Sequence, residues 1–116
     1  MTLQIAEKKK YLLHWMYDFI EGDDEPAYFK ADVEEFDQIT SAFIKEVNES
    51  SHRTDFSWVC AKTEALVKNL NELNLKHAHQ LIETHQREDI CALINLVIEN
   101  AGHECKEDIT QAWREW

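Results

Sequence analysis

A chain of 116 residues, 44% hydrophobic and 30% charged, has the size and make-up of one globular domain that can build a core without disulfide or metal staples. Two glycines and one proline are too few turn residues for an all-β protein of this length, so the composition points to helices. Twelve basic residues against 23 acidic ones leave a formal net charge of −11, which repels phosphate backbones and anionic lipid and so argues against nucleic-acid and membrane binding.

A first helix is expected over about residues 3–21. Leu12, Trp15, Met16 and Phe19 recur at helical spacing, and Leu13, Tyr17 and Ile20 add a second apolar stripe. A helix apolar over so much of its circumference is predicted to be buried at the centre of the fold. The lysines ahead of its apolar run imitate a signal peptide, but His14 and Asp18 interrupt the run and no small-residue cleavage site follows. No uninterrupted apolar stretch reaches the length a membrane span needs. "EGDDEP", with Gly22 and Pro26, then breaks the chain. Asp32 followed by Glu35 has the spacing of an acidic capping box. Val33, Phe36, Ile39, Thr40, Phe43 and Val47 carry a second helix to about Glu49.

Asp55 is placed to cap a third helix with Phe56, Val59, Cys60, Thr63, Leu66, Val67 and Leu70 on one face. Asn69, Asn71 and Asn74 weaken its propensity toward the end. "LNLKHAHQLIE" reads as a loop followed by a short helix, with a strand as the alternative. Ile90, Leu93, Ile94, Val97, Ile98 and Ala101 form the next helix, closed by Gly102 just past its end. In the last segment Asp108 and Gln111 again have capping-box spacing, and Ile109, Ala112, Trp113 and Trp116 fall on one helical face. That predicts a small amphipathic helix with Trp113 turned inward and Trp116 beside it. The expectation is therefore a single all-α domain over residues 1–116, a bundle of five to six helices around a buried N-terminal helix.

Motifs for chemistry are missing. His77 and His79 stand two apart, on roughly opposite sides of any helix, and His103 with Cys105 lacks a second pair at finger-like spacing. There is no HExxH, CxxC, GxSxG or glycine-rich phosphate loop. An enzyme built on His103 and Cys105 is conceivable, yet the reading is of a protein with no catalytic residues, no metal and no cofactor. Cys60, Cys91 and Cys105 are odd in number and scattered, which fits reduced thiols in a cytoplasmic protein.

The strongest local feature is charge. Between Asp18 and Asp37 stand nine acids and one base, Lys30, with Tyr28 and Phe29 among them. One reading is a solvated face with both aromatics tucked onto the core. The other is a binding surface in which acids steer a basic partner and the aromatics anchor it. Size, helical pattern, the stretch "DFIEGDDEPAYFKADVEEFD" and a tyrosine among its acids give the whole chain a general character that resembles the small acidic helical immunity proteins of bacterial toxin systems, those of contact-dependent inhibition and of nuclease colicins. The resemblance implies a stoichiometric inhibitor of a cognate toxin domain, often a basic nuclease, with no catalysis of its own. The charge argument places partner binding at Asp23, Asp24, Glu25, Tyr28, Glu34 and Glu35. A DNA mimic is a variant of this reading. The alternative from a different class is a cytoplasmic regulatory or adaptor domain, conceivably a homodimer, whose acidity merely keeps it dissolved.

Overall fold

A computed structural model describes residues 2–22, 28–77, 81–82, 84–104 and 109–116. Among these residues there are four α-helices and no strand: α1 (Thr2–Glu21), α2 (Lys30–Glu49), α3 (Phe56–Lys76) and α4 (Thr84–Asn100). Two single 3-10 turns accompany them, Ser51–Thr54 and Ile109–Ala112.

Side-chain pairs fix the helix directions. Lys9 of α1 meets Asp37 (3.0 Å) and Ser41 (2.7 Å) of α2, while the Tyr28 hydroxyl, just ahead of α2, donates to the Met16 carbonyl (3.3 Å). α1 and α2 are thus antiparallel. α2 and α3 are antiparallel too, since Lys62 reaches Glu46 (3.1 Å) near one end and Lys76 reaches Glu35 (3.5 Å) near the other. Asn100 donates to Asn48 (3.0 Å), so the C-terminal ends of α4 and α2 lie together. The result is an up-down-up-down bundle. One end gathers the C-terminus of α1, the N-terminus of α2 and the C-terminus of α3.

The buried stripe of α2 is Val33, Phe36, Thr40, Phe43 and Val47, the face its spacing predicts. α2 touches each of the other three helices. α1 packs on α4 and α2 and buries Ile5, Leu12 and Met16, but Tyr11 is 46% exposed and His14 and Asp18 face solvent. The expectation of a central N-terminal helix is therefore corrected. α1 occupies a corner of the bundle, and its second stripe of Leu13, Tyr17 and Ile20 is only partly buried along the flank.

Local signals account for most helix ends. The Asp55 carboxylate accepts from the Ser57 N–H (3.0 Å) and starts α3 as expected. Asp32 acts as the third residue of α2, not as its cap. Its carboxylate reaches back to accept from the Phe29 N–H (2.9 Å). α4 ends in a Schellman motif: Gly102 (φ 101°) donates to Glu99 O (3.0 Å) and His103 to Ile98 O (3.3 Å).

The expected five to six helices reduce to four for two reasons. First, α3 runs through its asparagines to Lys76. The propensity loss of an Asn is under about 1 kcal/mol, and burial of Leu66, Val67, Leu70 and Leu73, at about 1.5–3 kcal/mol each, outweighs it. Asn74 is itself buried and accepts from the Ile82 N–H (2.9 Å), which turns the chain toward α4. The first four residues of "LNLKHAHQLIE" therefore belong to α3, and α4 starts at Thr84, just beyond it; of the loop and short helix expected there, residues 78–80 and 83 lie outside the described part. Second, the last segment closes only one 3-10 turn. The Glu115 N–H, which a continuing helix would bond to residue 111, is taken by Asn71 Oδ1 (3.0 Å).

Candidate functional site

The acidic stretch is distributed over one end of the bundle. Asp18 and Glu21 lie exposed on the last turn of α1, and Glu34 and Glu35 lie in the second turn of α2. Asp23, Asp24 and Glu25 fall outside the described residues. Glu34 and Glu35, though adjacent, serve opposite flanks. Glu35 pairs with Lys76 of α3. Glu34 stands one turn before Asp37, the residue that pairs with Lys9 of α1. A single face carrying both glutamates is not formed.

Tyr28 is also not where a surface anchor must be. It is 5% exposed, its ring lies in the core, and its hydroxyl is tied to Met16. The exposed aromatic is Phe29, at 63%. Phe29 has extended backbone (φ −123°, ψ 175°), and successive side chains of an extended segment point to opposite sides, so one of the two aromatics must go in and the other out. The sequence contains no signal for which. Leu75, 60% exposed on the last turn of α3, lies at the same end of the bundle. The sequence places it in the expected loop, and only the extension of α3 to Lys76 sets it off that helix's buried stripe. His77 Nε2 sits 3.3 Å from Asp32 Oδ1, where the end of α3 meets the start of α2, without hydrogen-bond geometry.

Other candidate groups have structural surroundings. His103 Nε2 lies 2.8 Å from Arg53 O, and its ring lies 5.2 Å from that of Phe56. Cys91 Sγ lies 3.7 Å from Thr110 Oγ1, and burial pushes the Cys60 thiol above its ordinary value. Cys105 and His79 lie outside the described residues. Among those described, no three His, Cys, Asp or Glu side chains are grouped to hold a metal ion, and no helix is long and apolar enough to cross a membrane. Two open clefts flank α1, one lined by Gln4, Lys8, Tyr11 and Asp89, the other by Lys9, Ser41, Lys45 and Asn48. Among the described residues, neither lining includes a cysteine or a histidine.

The residues the sequence undervalued are the asparagines. Asn71, 7% exposed, donates to Trp113 O (2.8 Å) and accepts from Glu115 N. This clamp holds residues 113–115 against α3, while Thr110 meets Cys91 of α4. α3 and α4 make little direct contact, and the C-terminal segment bridges them. Trp116 packs against the core, with Arg114 over its ring at 5.6 Å. Trp113 is half-buried and contributes its carbonyl, so the expected shared helical face of the two tryptophans does not exist. Compared with protein-family models, curated proteins and solved structures, the chain matches none.

Proposed function

We propose that this chain is a non-catalytic acidic binding protein that neutralises a basic partner, as an immunity protein does when it occludes a toxin domain such as a nuclease. The observation that carries this reading is the presence of exposed acids from both α1 and α2 at one end of the bundle. A nuclease must be basic to hold its substrate, so an acidic inhibitor meets it rapidly and competes for the surface the substrate needs. Asp23, Asp24, Glu25, Glu34 and Glu35 supply steering. Tyr28 supports the surface from within by fixing the entry to α2.

Co-expression with the C-terminal domain encoded by the adjacent upstream gene is the direct test. Restored growth and a one-to-one complex whose association slows as salt rises are expected. Toxicity without rescue or complex refutes the reading. It would favour a regulatory or adaptor domain that self-associates through the exposed apolar residues, which is insensitive to salt.

A further inference from the structure

We propose that the outer face of α1, from Glu7 to Asp18, holds an arginine of the basic partner, which stacks on Tyr11 and pairs with the Glu7 carboxylate at the mouth of the cleft between α1 and α4. This rests on the reading above that the partner is basic, and adds where and by what chemistry it is held. The rings of this face touch one another. Tyr11 meets Trp15 edge to face, with centroids 6.2 Å apart, and His14 meets Trp15 in the same manner at 5.8 Å. Tyr11 is 46% exposed, His14 is exposed and Trp15 is half-buried, so the group is open to solvent while resting on the bundle. Glu7 and Asp18 are exposed beside it. Glu7, Tyr11, His14 and Asp18 follow one another along α1 at helical intervals of three and four, which places them on one face. Glu7 and Tyr11 also line the same cleft, together with Lys8 and with Asp89 of α4.

The Tyr11 ring already accepts a cation from within the chain. Lys8 Nζ lies 5.3 Å from its centroid and is held there by Asp89 Oδ1 at 2.9 Å. That pair occupies Lys8 and Asp89, whereas among the described residues no cation pairs with Glu7 or Asp18. Charge decides the occupant. Exposed Glu7, Asp18 and Glu21 stand on this side of α1 against Lys10. A planar guanidinium stacks on an aromatic ring and donates two parallel hydrogen bonds to a carboxylate, which an ammonium cannot do, so arginine is the favoured cation. Tyrosine and tryptophan at the centre with charge at the rim is also the composition of a binding hot spot. An anionic lipid surface is repelled. A second copy of a chain with net charge −11 is repelled as well.

The test uses a synthetic arginine–alanine peptide, its lysine–alanine and glutamate–alanine counterparts, and amide and indole NMR of the full chain at low salt. The arginine peptide is expected to shift amides at 7–18 and the Trp15 indole N–H. The lysine peptide should bind there several-fold more weakly, and the glutamate peptide should shift none of these signals. Tyr11→Ala should weaken binding of the arginine peptide about tenfold, mainly through faster dissociation. Tyr11→Leu keeps an apolar side chain without the ring and should bind as weakly as Tyr11→Ala, and Glu7→Gln should lose several-fold. Tyr11 and Glu7 are exposed, so unchanged circular dichroism spectra are expected of these variants. Shifts confined to other faces, equal binding of the lysine or glutamate peptide, or undiminished binding by either Tyr11 variant would overturn the proposal. So would a concentration-dependent dimer in sedimentation that Tyr11→Ala abolishes. If Tyr11→Ala still rescues growth and binds the co-expressed domain unchanged, this surface is wrong and the neutralisation reading survives. If the wild-type chain fails to rescue while the arginine peptide maps to 7–18, the neutralisation reading fails and the surface stands.

Discussion

Removal of the Asn71 amide is the sharpest test of how the chain's last segment is held. Asn71→Ala deletes the bonds to Trp113 O at 2.8 Å and from Glu115 N at 3.0 Å. Each such bond is worth about 0.5–1.5 kcal/mol net, and both here are part-buried. Alanine returns about 0.5 kcal/mol through its better helix propensity. The expected loss is therefore about 2 kcal/mol, or about 8 °C in Tm for a domain of this size. Asn71→Asp should be worse than Asn71→Ala, because the carboxylate cannot donate to Trp113 O and faces the Glu115 carboxylate, whose Oε2 lies 3.4 Å from the present amide nitrogen. Urea unfolding gives the stability, and hydrogen exchange at residues 110–116 shows whether the segment has come away. Wild-type stability in Asn71→Ala, with those amides as protected as before, would refute the clamp.

Three further outcomes are expected. Phe36→Ala, at a side chain with no exposure, should cost about 3–5 kcal/mol, whereas Phe29→Ala should change stability by under about 0.5 kcal/mol; equal effects in thermal melts would contradict the assignment of inner and outer aromatics. Gly102→Ala meets open space, so its cost, about 1 kcal/mol, comes from the positive φ alone; a neutral result in urea titration would remove the Schellman end from the account. Cys60 has a raised pKa through burial, so at neutral pH it is the protonated thiol, and alkylation followed by peptide mass spectrometry should accelerate only at a pH above that of an exposed cysteine.

The helical class and all four α-helices could be read directly, α1 to within a residue at each end, because the signals are local. α2 needed only its i, i+3, i+4 stripe, α3 only the Asp55 carboxylate, and the end of α4 only a glycine able to adopt φ 101°. The acidic segment was equally legible as a charge count. Its division into flanks was not, since Glu34 and Glu35 separate only when α2 has α1 on one side and α3 on the other.

What tertiary structure decided were the places where a local preference met a competing partner. Asn71 and Asn74 disfavour a helix in isolation, yet both lie buried in α3 because their amides find the backbones of Trp113, Glu115 and Ile82. The final residues have the pattern of a helix, but the Glu115 N–H is bound across the chain, so the turn stops after Ala112. Tyr28 and Phe29 are chemically near-equivalent and adjacent, and the corner between α1 and α2 admits only one of them. Sequence alone determines periodicity, capping and charge because these depend on neighbours within a turn. Which face is buried, which polar group is satisfied and which aromatic remains exposed depend on partners beyond the turn, from Ile82, 8 positions from Asn74, to Glu115, 44 positions from Asn71.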